Sequence, residues 1–373
     1  MISRNFRAVA ATLFLSAATI ALSSTAMMVP ADAAARPAVG KLLQQAIDLA
    51  KNGSTGAANA KVNQAEAVGG LTPGDQAAIE QVKSFINAKS GGGATGAKAK
   101  FAEDYNAGRY AAVVGPDADA LRKEGQMDGN SELVVAQAYY LMGNYAEAIR
   151  MLKGMSGDTA QGLLLTIAAK SGDSAGEMQA AERLILNGQT KYWTYLLTGA
   201  ESTHGLSDHQ NLDILRLRLL TGNMRGIEDY QTGVELALEA GDSAGAANFA
   251  QKGIDAKVLV DQRSQRLAGL ANAAAAKDAS TLPAQIAAAK TGDAMLKVGE
   301  KQYGMAKYPD AVATIQNALS KGADKNAGNI LLGQAEIGAG SKDAAIHAFN
   351  QVSGDPKATM IAHIWTVYAR TTK

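Results

Sequence analysis

The sequence predicts an all-α protein, a solenoid of stacked antiparallel helix hairpins, on three observations. The chain is rich in Ala, holds only 5% aromatic residues and has 7 Pro in 373 residues. Ala has the best intrinsic helix propensity, and its small side chain lets helices approach closely. Single glycines followed by a small polar residue then separate apolar stretches of helical spacing. They are Gly53-Ser54, Gly143-Asn144, Gly172-Asp173, Gly222-Asn223, Gly241-Asp242 and Gly340-Ser341. The glycine takes the left-handed conformation that ends one helix, and the polar residue caps the amides that open the next. Finally, Gly299 and Gly333, Ala311 and Ala345, and Ala318 and Val352 are each 34 residues apart. A unit of that length is one hairpin, which buries its apolar faces only by stacking on its neighbours.

Residues 1–33 read as a secretory signal peptide. Arg4 and Arg7 precede an apolar stretch from Ala8 to Leu22, and Ala31-Asp32-Ala33 gives the small–x–small pattern of a cleavage site. Its removal takes two of the 36 basic and one of the 35 acidic residues, leaving 34 of each. A neutral chain gives no basic face for nucleic acid. No later segment is long and apolar enough for stable membrane insertion. The expected location is periplasmic or secreted, in a bacterium.

Residues 34–93 predict N-terminal hairpins. Leu42, Leu43, Ala46, Ile47 and Ala50 form an amphipathic stripe. Thr72-Pro73 opens a helix through Ile86, with Thr as cap and Pro at the first helical position. Residues 94–156 carry two related units, Phe101…Tyr105…Gly108-Arg109-Tyr110 and Ala136…Tyr140…Gly143-Asn144-Tyr145, offset by 35 residues. In 157–291 the helices continue but the spacing wanders, from 29 between Gly143 and Gly172 to 19 between Gly222 and Gly241. The run Ile214-Leu-Arg-Leu-Arg-Leu-Leu220 alternates as a strand would. Gly222 ends it and no partner strand is near, so it is read as helix. Tyr192, Trp193 and Tyr195 are expected in the core. Gly157-Asp158, Gly292-Asp293 and Gly354-Asp355 are expected to open helices between hairpins. Residues 292–373 hold the two in-register units and a capping helix, where Trp365, Ile361, Ile364 and Tyr368 seal the last hairpin.

The units resemble tetratricopeptide repeats. Ala136, Tyr139, Gly143-Asn144-Tyr145 and Ala148 match the family pattern in one copy, Gly299, Tyr308, Ala311 and Ala318 in another, and Gly333, Ala345 and Phe349 in a third. The family's Trp is replaced by Glu132, Met295 and Asn329, and the clear likeness covers about 95–155 and 293–355. The resemblance implies a right-handed superhelix with a concave groove that binds a protein or peptide. It places Tyr105, Tyr140 and Tyr303 on the groove side, either for partner contact or for packing on the adjoining hairpin, with Gln137, Glu300, Gln334 and Lys98 beside them. The family's Asn-based clamp for a peptide C-terminus is not reproduced, since Ala102, Gln137, Glu300 and Gln334 stand at its first Asn.

Little in the sequence points to catalysis, a cofactor or a metal. With no Cys, disulfides and thiolate sites are excluded. His204, His209, His347 and His363 form no metal-binding pair one helical turn apart, and no phosphate-binding glycine loop occurs. Asp117 and Asp119 lack the Gly and closing Glu of a calcium loop and are expected in turn and cap roles. Helical lytic transglycosylases use a Glu-Ser pair, and Glu201-Ser202 is one, but the family's downstream motifs are missing. Glu201 is expected at the solvated end of a helix spanning Lys191–Ser202. The expectation is a non-enzymatic scaffold or adaptor for a protein or peptide. Its alternatives are a cell-wall enzyme using Glu201, or a structural subunit of an envelope or secretion assembly.

Overall fold

A computed structural model describes residues 36–52, 54–89 and 96–372. The signal segment 1–33, Gly53 and Gly91–Gly93 lie outside the described residues. Those described are all-helical and contain no strand. The chain forms two compact units, the first ending at Lys153 and the second starting at Gly154.

The first unit begins with α1 (Pro37–Lys51), α2 (Thr55–Glu66) and α3 (Pro73–Lys89), packed pairwise around Val39, Leu43, Ala46, Val62, Ile79 and Ile86. The α3 start is as the sequence predicts. Thr72 Oγ1 accepts from Asp75 N at 3.2 Å, and the Asp75 carboxylate in return accepts from Thr72 N at 2.9 Å. Asp75 also takes Arg36 Nε at 2.6 Å, which fastens the entry of α1 to α3. Next come α4 (Ala97–Asn106), α5 (Tyr110–Ala112), a π-helical segment Val113–Asp117, α6 (Ala118–Lys123), α7 (Gly129–Leu141) and α8 (Tyr145–Leu152). The widened turn has a local cause. Pro116 has no amide to donate, and Gly115 before it leaves helical geometry at φ −108, ψ −106. Phe101, Val113, Leu121 and Val135 form the core beneath it.

The second unit runs α9 (Asp158–Ser171), α10 (Ser174–Leu186), a 3-10 turn Thr190–Tyr192, α11 (Trp193–Glu201), α12 (Asp208–Thr221), α13 (Ile227–Ala240), α14 (Ser243–Asp255), α15 (Gln262–Ala288), α16 (Gly292–Gly304), α17 (Tyr308–Ser320), α18 (Lys325–Gly338), α19 (Lys342–Phe349) and α20 (Pro356–Thr371). Helices pack chiefly on their neighbours in sequence, as hairpins do. The alternating run lies in α12 and is helix. Gly143, Gly172, Gly222, Gly241 and Gly340 are all left-handed, with φ between 70 and 82. Asn144, Asp173 and Asp242 then cap the following helix through their side chains. Asn223 does not. Its Oδ1 accepts from Thr194 and its amide donates to Thr221 O, and α13 starts only after Gly226. Ser341 makes no side-chain cap bond either. Of the three other Gly-Asp pairs, only Asp355 caps its helix, accepting from Lys357 N, while Thr291 caps α16.

The last helix does more than seal a hairpin. α20 packs on α18 and α19 and also on α10, α11 and α12. It is buried on several faces, through Ala358, Ile361, Ala362, Ile364, Trp365 and Val367. Trp365 lies against Phe349 and Tyr368, and Tyr368 meets Trp193 edge-on. Trp193, Leu196, Leu197, Ile214 and Ile330 complete one core drawn from both ends of the unit. The row of hairpins therefore curls until its end meets its beginning. Burying these faces of α20 removes a large apolar area from water, at about 25 cal/mol per Å². Close approach between neighbours depends on missing side chains: a Cβ at Gly333 would strike the Phe349 ring, and one at Gly299 would strike Ile315.

Candidate functional site

Closure of the second unit turns its inner face into an interior. At the centre is Arg216 on α12, with 6% of its surface exposed. Arg216 Nη2 donates to Asp242 Oδ2 at 2.7 Å and to Glu300 Oε1 at 2.9 Å. Nη1 donates to Asp213 Oδ1 and to Gln334 Oε1, both at 3.3 Å. Gln334 Nε2 donates to Asp213 Oδ1 at 2.6 Å, closing a ring of bonds across α12 and α18. The guanidinium carbon sits 5.1 Å from the centre of the Tyr303 ring, a cation–π contact. One cation thus faces three buried carboxylates. Burial pushes the Asp213 carboxyl up, although Arg216 and Gln334 pull it down. Burial also raises Asp242, with Arg216 opposing and Glu300 adding repulsion. Burial lifts the Tyr303 phenol well above its ordinary range.

The groove positions implied by the repeat resemblance separate into two sets. Glu300, Gln334 and Tyr303 come together around Arg216, and the first two are buried. Beside them opens a cavity of about 580 Å³, with Asp213, Arg216 and Glu300 among its lining and Asp293, Lys297, Asp324 and Asp355 toward the helix starts. In the first unit Tyr105 Oη donates to Gln137 Oε1 at 3.2 Å, joining α4 to α7. Tyr105 lies edge-on to Tyr110, and Tyr140 lies 5.9 Å from Tyr145. Tyr105, Gln137 and Tyr140 are all half-buried. Lys98 is exposed and pairs with Asp128 at 2.8 Å.

Glu201 is not at a solvated helix end. Its carboxylate takes Arg218 Nε at 2.6 Å and Nη2 at 3.0 Å, and Arg225 Nη1 at 2.7 Å. Arg218 is fully buried, and the Glu201 carboxylate is its counter-charge, held between two guanidinium groups. The helix bearing it spans Trp193–Glu201, shorter than expected because Thr190–Tyr192 winds as a 3-10 turn. Trp193 is buried, with Tyr192 and Tyr195 packed against the same core. Asp117 and Asp119 diverge: Asp117 meets Lys100 at 2.7 Å and Asp119 meets Arg122 at 2.9 Å. His204 and His347 are exposed, and His363 meets Glu182 at 2.8 Å. Among the described residues no group of three or more His, Cys, Asp or Glu side chains converges as metal ligands do, and no helix is long and apolar enough to cross a membrane.

Sequence reasoning missed Arg216, Asp213 and Asp242. The signal was present in the alternating run of α12. On a strand, alternation sends charges to one face. On a helix it sends Arg216 and Arg218 to different sides, and α12 is buried from Leu212 to Arg218. Charges flanked on all sides by Leu and Ile must be paired inside. Fold and sites together define a protein of closely packed helical hairpins. No protein-family model matches the chain, and no curated protein matches it.

Proposed function

We propose that the protein is an exported scaffold of tetratricopeptide-like hairpins that binds a protein or peptide segment and does no chemistry of its own. The observation carrying this reading is the strip formed by Tyr105, Gln137 and Tyr140 in the first unit. These residues occupy the positions that the repeat resemblance assigns to the groove, and the Tyr105–Gln137 bond aligns two successive hairpins. Half-buried tyrosines offer broad amphipathic contact at low entropic cost. The Gln137 side-chain amide keeps both its hydrogens free of partners among the described residues, suited to peptide carbonyls. The enzymatic alternative is weakened by the double ion pair of Glu201.

A photo-crosslinking amino acid at Gln137 tests the reading in an envelope extract, with the same probe at exposed Leu270 on α15 as comparison. Capture from Gln137 but not Leu270 supports groove binding. Capture from Leu270 alone favours a structural subunit that uses its outer surface. Turnover of peptidoglycan that is lost in Glu201→Gln would overturn the non-enzymatic reading.

A further inference from the structure

The second unit's cavity has a charge and a shape that the scaffold reading does not use. Its volume, about 580 Å³, lies in the range of roughly 300–1,000 Å³ typical of small-molecule sites. Its floor is built from the side chains of Arg216 and Glu300, both more than nine-tenths buried, with that of Asp213 11% exposed beside them. Each carboxylate commits one oxygen to Arg216. Among the described residues, Asp213 Oδ2 and Glu300 Oε2 have no hydrogen-bond partner. Arg216 also answers Asp242, so one guanidinium is shared by three carboxylates and the negative charge at the floor exceeds the positive. The lining adds the carboxylates of Asp293, Asp324 and Asp355 against the ammonium of Lys297 and the imidazole of His209.

Helix N-termini could draw an anion to such a place. Here they are already satisfied. Ser207 caps α12, Thr291 caps α16, Asp324 caps α18 and Asp355 caps α20. Two of these caps are themselves carboxylates, so an anion entering the mouth meets like charge. What the cavity lacks is a cation with several hydrogen-bond donors. Buried carboxylates with unused acceptor oxygens bind such a group by short, charge-assisted bonds.

We propose that this cavity is a binding site for an alkylammonium group, carried either by a linear polyamine or by a lysine side chain of a peptide. It is independent of the Tyr105–Gln137 strip and stands or falls separately. The ammonium enters over Arg216 and bonds the free oxygens of Asp213 and Glu300.

Titration calorimetry on the full chain at fixed salt tests it with four probes: spermidine, Ala-Lys-Ala blocked at both ends, the same peptide with acetylated lysine, and blocked Ala-Glu-Ala. Binding of spermidine or of the lysine peptide, lost on acetylation and absent for the Glu peptide, is expected. The two ammonium probes distinguish the polyamine from the peptide source. Glu300→Gln should weaken binding by about tenfold or more. Should that variant fold poorly by circular dichroism, Asp293→Lys at the exposed rim is expected to weaken binding by about threefold or more. The proposal is overturned by no binding of either ammonium probe at millimolar concentration. Equal binding of the acetylated peptide, or full affinity in the folded variants, also overturns it.

Discussion

Replacing Arg216 with Met is the sharpest perturbation of the second unit. Met roughly preserves the volume but removes the one guanidinium that, among the described residues, faces Asp213, Asp242 and Glu300. Asp242 and Glu300 lose bonds of 2.7 and 2.9 Å, and Asp213 and Gln334 lose bonds of 3.3 Å. Two or three buried acids are left without a counter-charge. Breaking a buried pair from one side costs about 3–5 kcal/mol. For a unit of this size that lowers Tm by about 6–20 °C, at roughly 2–4 °C per kcal/mol. Thermal unfolding followed by circular dichroism at pH 7 gives the number. The pH dependence supplies a second check. Burial raises Asp213 and Asp242 in the folded state, so that state binds protons more readily than the unfolded chain does. Their contribution to stability therefore grows as pH falls from the raised folded values toward the unfolded carboxylate value. Without Arg216 they rise further, so the gap between Arg216→Met and the parent should narrow from pH 7 to pH 5. A loss below about 1 kcal/mol at pH 7, or a gap that widens on acidification, refutes the account of Arg216 as the charge centre of a closed interior.

Other expectations concern single contacts. Gly333→Ala drives a Cβ into the Phe349 ring and should cost about 1–3 kcal/mol by chemical denaturation. Gly269→Ala, with open space around it on α15, should stabilise by about 0.5–1 kcal/mol. Trp365→Ala should cost about 3–5 kcal/mol, since its ring joins both ends of the second unit. Hydrogen bonds from Lys100 and Arg109 pull Asp104 down to about 2. Its stabilising effect is present above the unfolded carboxylate value and fades as pH falls toward 2, which carboxyl NMR can follow. A hydrogen bond to Glu182 raises His363 above 6.5. That contribution is complete below the unfolded value and disappears as pH climbs through the folded one. Glu182→Gln should bring the imidazole titration back down in a proton NMR series.

The hairpins were legible in the sequence because their signals are local. A glycine at a positive φ and a polar cap in the next position, bonded to the amide three residues on, act within one turn of chain, and Gly172-Asp173 and Gly241-Asp242 do as expected. The Tyr105–Gln137 bond was not legible: the 35-residue offset makes Tyr105 equivalent to Tyr140 and Ala102 to Gln137, so the contact joins non-equivalent positions of successive hairpins. Nor was closure of the second unit. Ile361, Ile364, Trp365 and Tyr368 look like one apolar stripe. The burial of Ala358, Ala362, Thr366 and Ala369 as well depends on small residues that sequence patterns weigh lightly. The acidic cavity was hidden for the same reason. Asp213 and Gln334 are far apart in the chain and meet only because α12 and α18 are brought together. Glu201 misled because its partners Arg218 and Arg225 lie beyond the next turn, on and after α12.

The closed second unit is the feature on which the interior of Arg216, the cavity and the role of α20 all depend. Thr203 Oγ1 lies 3.6 Å from Met360 Sδ, across the seam between the α11–α12 turn and α20. The chain has no cysteine of its own, so Thr203→Cys with Met360→Cys gives a clean pair. Treatment of the native double variant with a short bis-maleimide, scored by peptide mass spectrometry, measures the closure directly. Closure predicts rapid intramolecular linkage of the two positions in native buffer, lost in denaturant. Modification of each cysteine singly, with no linkage under native conditions, would mean that the row of hairpins is open.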